Sequence, residues 1–146
     1  MSESNKAVVR RYVEEILNQG NLALADELFS ADSIWHGPSF PELRGREARK
    51  EHFASWRRAF PDQLLNVDEL VAEGDKVVLR WSMTGTHQGE FWGVAPTGKK
   101  VSFGGTSTFR IAGGIITEEY IQYDALGFMQ QLGVVPAISQ PAGAGQ

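Results

Sequence analysis

Apolar doublets spaced four residues apart open the chain. Val8-Val9, Tyr12-Val13 and Ile16-Leu17 recur at the interval that stacks side chains on one helical face, and Gly20 supplies a stop. Asn21 is placed to cap a second, shorter helix that turns Leu24, Leu28 and Phe29 inward. Ser33-Ile34-Trp35-His36 then reads as a brief strand ended by Gly37-Pro38. From Arg46 to Phe60 the stripe is Ala48, Phe53, Trp56, Ala59 and Phe60, with His52 on the same side, and Pro61 ends the helix.

Beyond Pro61 the period shortens to two. Leu65 to Glu73 and Lys76 to His87 form a predicted hairpin around Gly74-Asp75, and Lys100 to Ile111 and Ile115 to Tyr123 a second around Gly113-Gly114. Val77, Leu79, Trp81, Met83 and His87 share one side of their strand, opposite Arg80, Ser82 and Thr84. On the last strand Glu118, Tyr120 and Gln122 fall in phase with Asp124, and Ile115, Ile121 and Tyr123 on the other face. Gly104-Gly105 within a strand predicts a bulge or sharp bend. Helices followed by a long, bent antiparallel sheet make an α+β plan, in which the helices cover one concave face and the sheet encloses a pocket.

Composition narrows the setting. The chain's 146 residues, 42% of them hydrophobic, suit one domain over residues 1–135, with a tail over 136–146 too poor in apolar residues to pack. A net charge of −4, with the basic pairs Arg10-Arg11, Arg57-Arg58 and Lys99-Lys100 scattered, argues against a nucleic-acid partner. With no cysteine there is no disulfide framework, no thiol nucleophile and no thiolate metal site. No apolar stretch reaches the length of a membrane span, so a cytoplasmic location without membrane attachment is the expectation.

Two motifs fail on inspection. Gly93-Val94-Ala95-Pro96-Thr97-Gly98-Lys99-Lys100 approaches a phosphate-binding loop, but it lacks the hydroxyl after lysine and leads into a strand instead of a helix N-terminus. The three histidines, His36, His52 and His87, have no metal-ligand spacing, so no metal site is expected.

Other segments match a known family. Thr84-Gly85-Thr86-His87-Gln88-Gly89-Glu90-Phe91, Gly93 to Lys99, the Glu119-to-Asp124 strand and Leu126-Gly127-Phe128-Met129-Gln130-Gln131-Leu132-Gly133 resemble a SnoaL-like polyketide cyclase of the NTF2-like superfamily. The opening helix, the Phe60-Pro61-Asp62 helix end and the Gly74-Asp75 turn follow in the same order. The resemblance implies a cone-shaped α+β barrel, its curved sheet wrapped around the N-terminal helices, which usually dimerises with itself. It also implies intramolecular aldol ring closure of a polyketide ester without a cofactor, with the acid/base aspartate falling on Asp124. The resemblance also implies an assisting histidine on the neighbouring strand, as in characterised cyclases, where this chain offers only Ser102, Thr106, Ser107 and Thr108.

Each candidate residue has a plainer reading beside the chemical one. Asp124 stands where a strand meets a helix and is either an N-cap or an acid/base at the rim of the cavity. His52 and His87 are the next candidates for proton transfer; otherwise His52 is a core histidine and His87 a strand-end surface residue, although its phase with Trp81 and Met83 points it inward. Tyr12, His36, Trp56, Trp81, Met83, Tyr120 and Gln122 are candidates to bind a flat hydrophobic substrate, or else packing and surface residues. Two alternatives stand beside a cyclase: an isomerase or epoxide hydrolase with Tyr12 as electrophile and Asp124 as base, or a pocket that binds a small molecule without turnover. A homodimer is expected to form on the outer sheet face through Ile115, Ile121 and Tyr123.

Overall fold

The computed structural model describes residues 2–38 and 42–136, so the predicted tail beyond Pro136 lies outside the described residues. Helix α1 spans Ser2–Arg11 and runs straight into a π-helical segment, Tyr12–Asn18. The stripe of doublets packs as predicted, with Val9, Tyr12, Val13 and Ile16 buried, and Gly20 (φ 78°) stops the helix. A short 3-10 turn at Leu22–Leu24 leads to α2 (Ala25–Leu28), which buries Leu24, Leu28 and Phe29 as the sequence predicts. Asn21 makes no capping side-chain bond; the backbone carries this corner alone.

Strand β1 (Phe29–His36) is twice the expected length, and after β2 (Leu43–Arg44) comes α3 (Arg46–Ala59). Strands β3 (Leu64–Glu73), β4 (Lys76–Thr86), β5 (Lys100–Ala112) and β6 (Ile115–Tyr123) form the two hairpins, and α4 (Ala125–Leu132) closes the described chain. The six strands lie in the order β2-β1-β6-β5-β4-β3, a curved sheet that does not close. It is antiparallel except where β1 runs parallel to β6, so the first strand is held by the last. Among the described residues, no helix is long and apolar enough to cross a membrane.

The concave face holds Val77, Leu79, Trp81 and Met83 of β4 with Phe103, Phe109 and Ile111 of β5, against which α1 and α3 pack. Two details differ from the sequence reading. Gly104 and Gly105 sit in unbroken register with Ser82 and Trp81, with no bulge. Glycine is needed at 105 for closeness: a Cβ there would lie 2.5 Å from the Gln122 carbonyl oxygen and 2.6 Å from the Trp81 ring. The irregularity falls instead on β6, where Arg110 pairs with Glu118 but Ile111 with Ile116, leaving Thr117 as the extra residue of a bulge. Side chains on both sides of that bulge, Ile116 and Glu119, therefore turn inward although they differ by an odd number of positions.

Candidate active site

Apolar walls enclose most of one half-open cavity of about 80 Å³ between α3 and the concave sheet. That is room for several water molecules or one small ring. Trp81 and Met83 come from β4, Phe103 from β5, Ile121 and Tyr123 from β6, and Trp56 from α3. Burial alone pushes the Tyr123 phenol up to about 12, so it stays protonated across the neutral range.

Polar groups gather at one end, around Arg49. This arginine sits a turn before Phe53 on α3 and is 5% exposed, with its guanidinium carbon 4.3 Å from the Phe53 ring centre and 5.2 Å from that of Trp35. Its Nη2 donates to Glu119 Oε1 at 2.6 Å and to the Tyr12 hydroxyl at 3.0 Å, while Nη1 donates to His52 Nδ1 at 2.7 Å. Glu119, 2% exposed, is the only carboxylate among the lining residues described. Taking one partner from such a buried pair costs about 3–5 kcal/mol, because the other charge is left unpaired.

The cluster fixes protonation states. Burial, and secondarily the Glu119 charge, push the Tyr12 phenol far above its ordinary value, so it remains a donor. Burial and then the neighbouring Arg49 charge lower His52 to about 3, which leaves the imidazole neutral at pH 7. Trp56 Nε1 lies 3.2 Å from His52 Nε2, and Trp81 Nε1 donates to Ser107 Oγ at 3.2 Å. The buried Trp35 Nε1 and Arg49 Nε have no hydrogen-bond partner among the described residues.

Of the residues singled out from sequence, Tyr12, His52, Trp56, Trp81 and Met83 meet in this cavity. The others do not. Asp124 is exposed, caps α4 by accepting the Gly127 amide at 2.9 Å, and is not among the cavity-lining residues. Tyr120 and Gln122 are exposed on the outer face, because the inward phase of β6 runs through Glu119, Ile121 and Tyr123. Taking Asp124 as inward inverts that phase. Ile121 and Tyr123 accordingly line the cavity and are not part of an outer dimer face.

The two remaining histidines hold structure in place. His36 stacks on Tyr120 at 4.1 Å and pairs with Glu118 at 2.7 Å and Glu42 at 3.3 Å, away from the cavity. His87 is fully buried against Phe60, and its Nδ1 accepts the Thr97 amide at 3.2 Å, which ties down the connection between β4 and β5. Sequence reading missed Arg49 and Glu119. Arg49 did leave a signal, since 49, 53, 56 and 60 are spaced as one helical stripe with a charge at its head.

The sequence pattern of the SnoaL-like polyketide cyclases matches residues 7–132. The chain belongs to that family. Among solved structures, a candidate SnoaL-like polyketide cyclase from Jannaschia sp. CCS1 superposes with a TM-score of 0.86 at 26% identity, over 92% of this chain and 95% of that one. AclR of Streptomyces galilaeus, a candidate hydroxylase, gives 0.84 at 28% identity, over 96% and 87%. IdmH of Streptomyces antibioticus, a candidate polyketide cyclase, gives 0.77 at 29% identity, over 88% and 98%. No curated protein matches significantly. The cone of the SnoaL-like, NTF2-like fold thus carries neighbours given different activities, and the side chains inside this member decide its own.

Proposed function

We propose that this SnoaL-like protein is a cofactor-free acid/base enzyme that acts on a small, hydrophobic, polyketide-like carbonyl compound, closing a ring by intramolecular aldol addition or a related step. The observation that carries this reading is the single buried carboxylate, Glu119, held beside a phenol and a guanidinium at the polar end of an otherwise apolar cavity. A proton flanked by two carbonyls is already acidic, and the conjugated substrate spreads the resulting charge. The enzyme then needs to fold the substrate, remove one proton and return it.

Glu119 is the base in this scheme, and Arg49 holds it in place by donating to its Oε1. Tyr12 donates to the developing alkoxide, its hydroxyl oxygen already bonded to an Arg49 N–H. The family resemblance gives the acid/base role to Asp124, but geometry favours Glu119, which lines the cavity while Asp124 faces solvent. The reaction belongs to the cytoplasm, in line with the lack of cysteine. The active form is a homodimer that buries the outer sheet face around Val71, Val78 and Tyr120, all exposed in one chain.

A panel of polyketide esters and unsaturated ketones tests the assignment. Glu119→Gln should lower the melting temperature, because Arg49 loses its buried partner, and in the folded protein lower kcat by about 10²-fold or more with KM little changed, because an amide cannot exchange a proton at neutral pH. Asp124→Asn should keep both activity and melting temperature, since Asn caps a helix nearly as well as Asp. The reverse pattern, with Asp124→Asn inactive and Glu119→Gln active, would return the chemistry to Asp124.

A further inference from the structure

The contact between His52 and Trp56 contains a conflict. Arginine has no acceptor, so Arg49 Nη1 at 2.7 Å requires a lone pair on His52 Nδ1. A neutral imidazole with a lone pair on Nδ1 carries its proton on Nε2. Trp56 Nε1, which can only donate, lies 3.2 Å from that same Nε2. The other tautomer is worse, because it sets an N–H against a cationic N–H at the shorter distance. A ring flip offers no escape either, since it would put a carbon against the guanidinium. Two N–H groups therefore face one another inside the cavity wall, with no acceptor between them.

We propose that these facing N–H groups, His52 Nε2–H and Trp56 Nε1–H, are a binding site for one carbonyl or enolate oxygen of the substrate. An oxygen between them turns a repulsion into two hydrogen bonds. The two residues are one turn apart on α3 and half-buried, so admitting an oxygen takes a small shift of both rings within their packing, His52 against Trp35 at 4.5 Å and Trp56 against Phe91 at 4.4 Å. The site lies near the Arg49–Glu119 pair, so an oxygen held here places the adjacent carbon toward the polar end of the cavity. A neutral His52 is well suited to holding such an oxygen, because it donates without presenting a second positive charge next to Arg49. This inference rests on reading the cavity as a site for carbonyl compounds.

Acetophenone and α-methylstyrene test it, since they have nearly the same shape and differ by C=O against C=CH2. In ¹⁵N-labelled protein the Trp56 indole proton, assigned by through-bond experiments, should move downfield as acetophenone is added and stay in place with α-methylstyrene. Trp56→Phe should weaken acetophenone about 10-fold, the value of one hydrogen bond, and leave α-methylstyrene within about 2-fold. Equal indole shifts for both ligands, equal weakening of both, or no binding of acetophenone would overturn the oxygen site. The wild-type titration decides even if Trp56→Phe folds poorly. Failure here is distinct from failure of the enzymatic reading: a downfield shift with no turnover across the carbonyl panel removes the catalysis and keeps the site. Turnover that depends on Glu119, without the shift, does the opposite.

Discussion

His52 shows how one side chain's surroundings reach a bulk property. Free in an unfolded chain it binds a proton below about pH 6.5, but beside Arg49 in the folded cavity it does so only near pH 3. Between those values the unfolded chain holds more protons, so stability is complete above about 6.5 and declines as pH falls toward 3. The slope from this one residue is at most about 1.4 kcal/mol per pH unit. The wild type should therefore lose melting temperature more steeply than His52→Gln between pH 6.5 and 4, as scanning calorimetry can measure; parallel curves would show that His52 is not buried as described. Such coupling was only half legible in the sequence. The helical stripe of α3 shows that His52 and Trp56 share a face, but Arg49 reads as a surface charge until its position in the stripe is noticed.

At the scale of elements, periodicity identified helix α3 and both hairpins, because each uses a regular pattern ended by glycine or proline. It failed where the backbone breaks its period. The bulge at Thr117 adds one residue, so alternation carried into β6 from Ile116 misplaces every side chain beyond it; Glu119 itself was overlooked because Asp124 was taken as inward. A bulge leaves no mark that separates Thr117 from an ordinary strand threonine. The glycine pair was visible, but its purpose was not, since contact with Trp81 and Gln122 is a matter of neighbours far along the chain. Gly105→Ala should destabilise by about 1–3 kcal/mol through overpacking, measured as a lower urea midpoint. It should also shift tryptophan fluorescence, because the new methyl group presses on the Trp81 ring. An unchanged midpoint would mean the sheet can spread at this point.

For the whole molecule, the exposed outer face leads to an expectation about assembly. Val71 pairs with Val78 across β3 and β4, and Tyr120 stands two strands away at 51% exposure. Light scattering should give twice the 16.1 kDa chain mass, and Val78→Asp should shift the population toward monomer. A wild type that stays at the chain mass at every concentration is the contrary result. The pairing of β1 with β6 has a further consequence, for the order of events during synthesis. Arg49 is made 70 residues before its partner Glu119, a wait of ~4–14 s at ribosomal speed. During that wait the growing chain has neither the strand that holds β1 nor the carboxylate that would let the arginine enter an apolar interior. The cavity therefore comes into being only once β6 has been made, and a nascent chain stalled before residue 119 has an unfinished sheet edge to offer a chaperone.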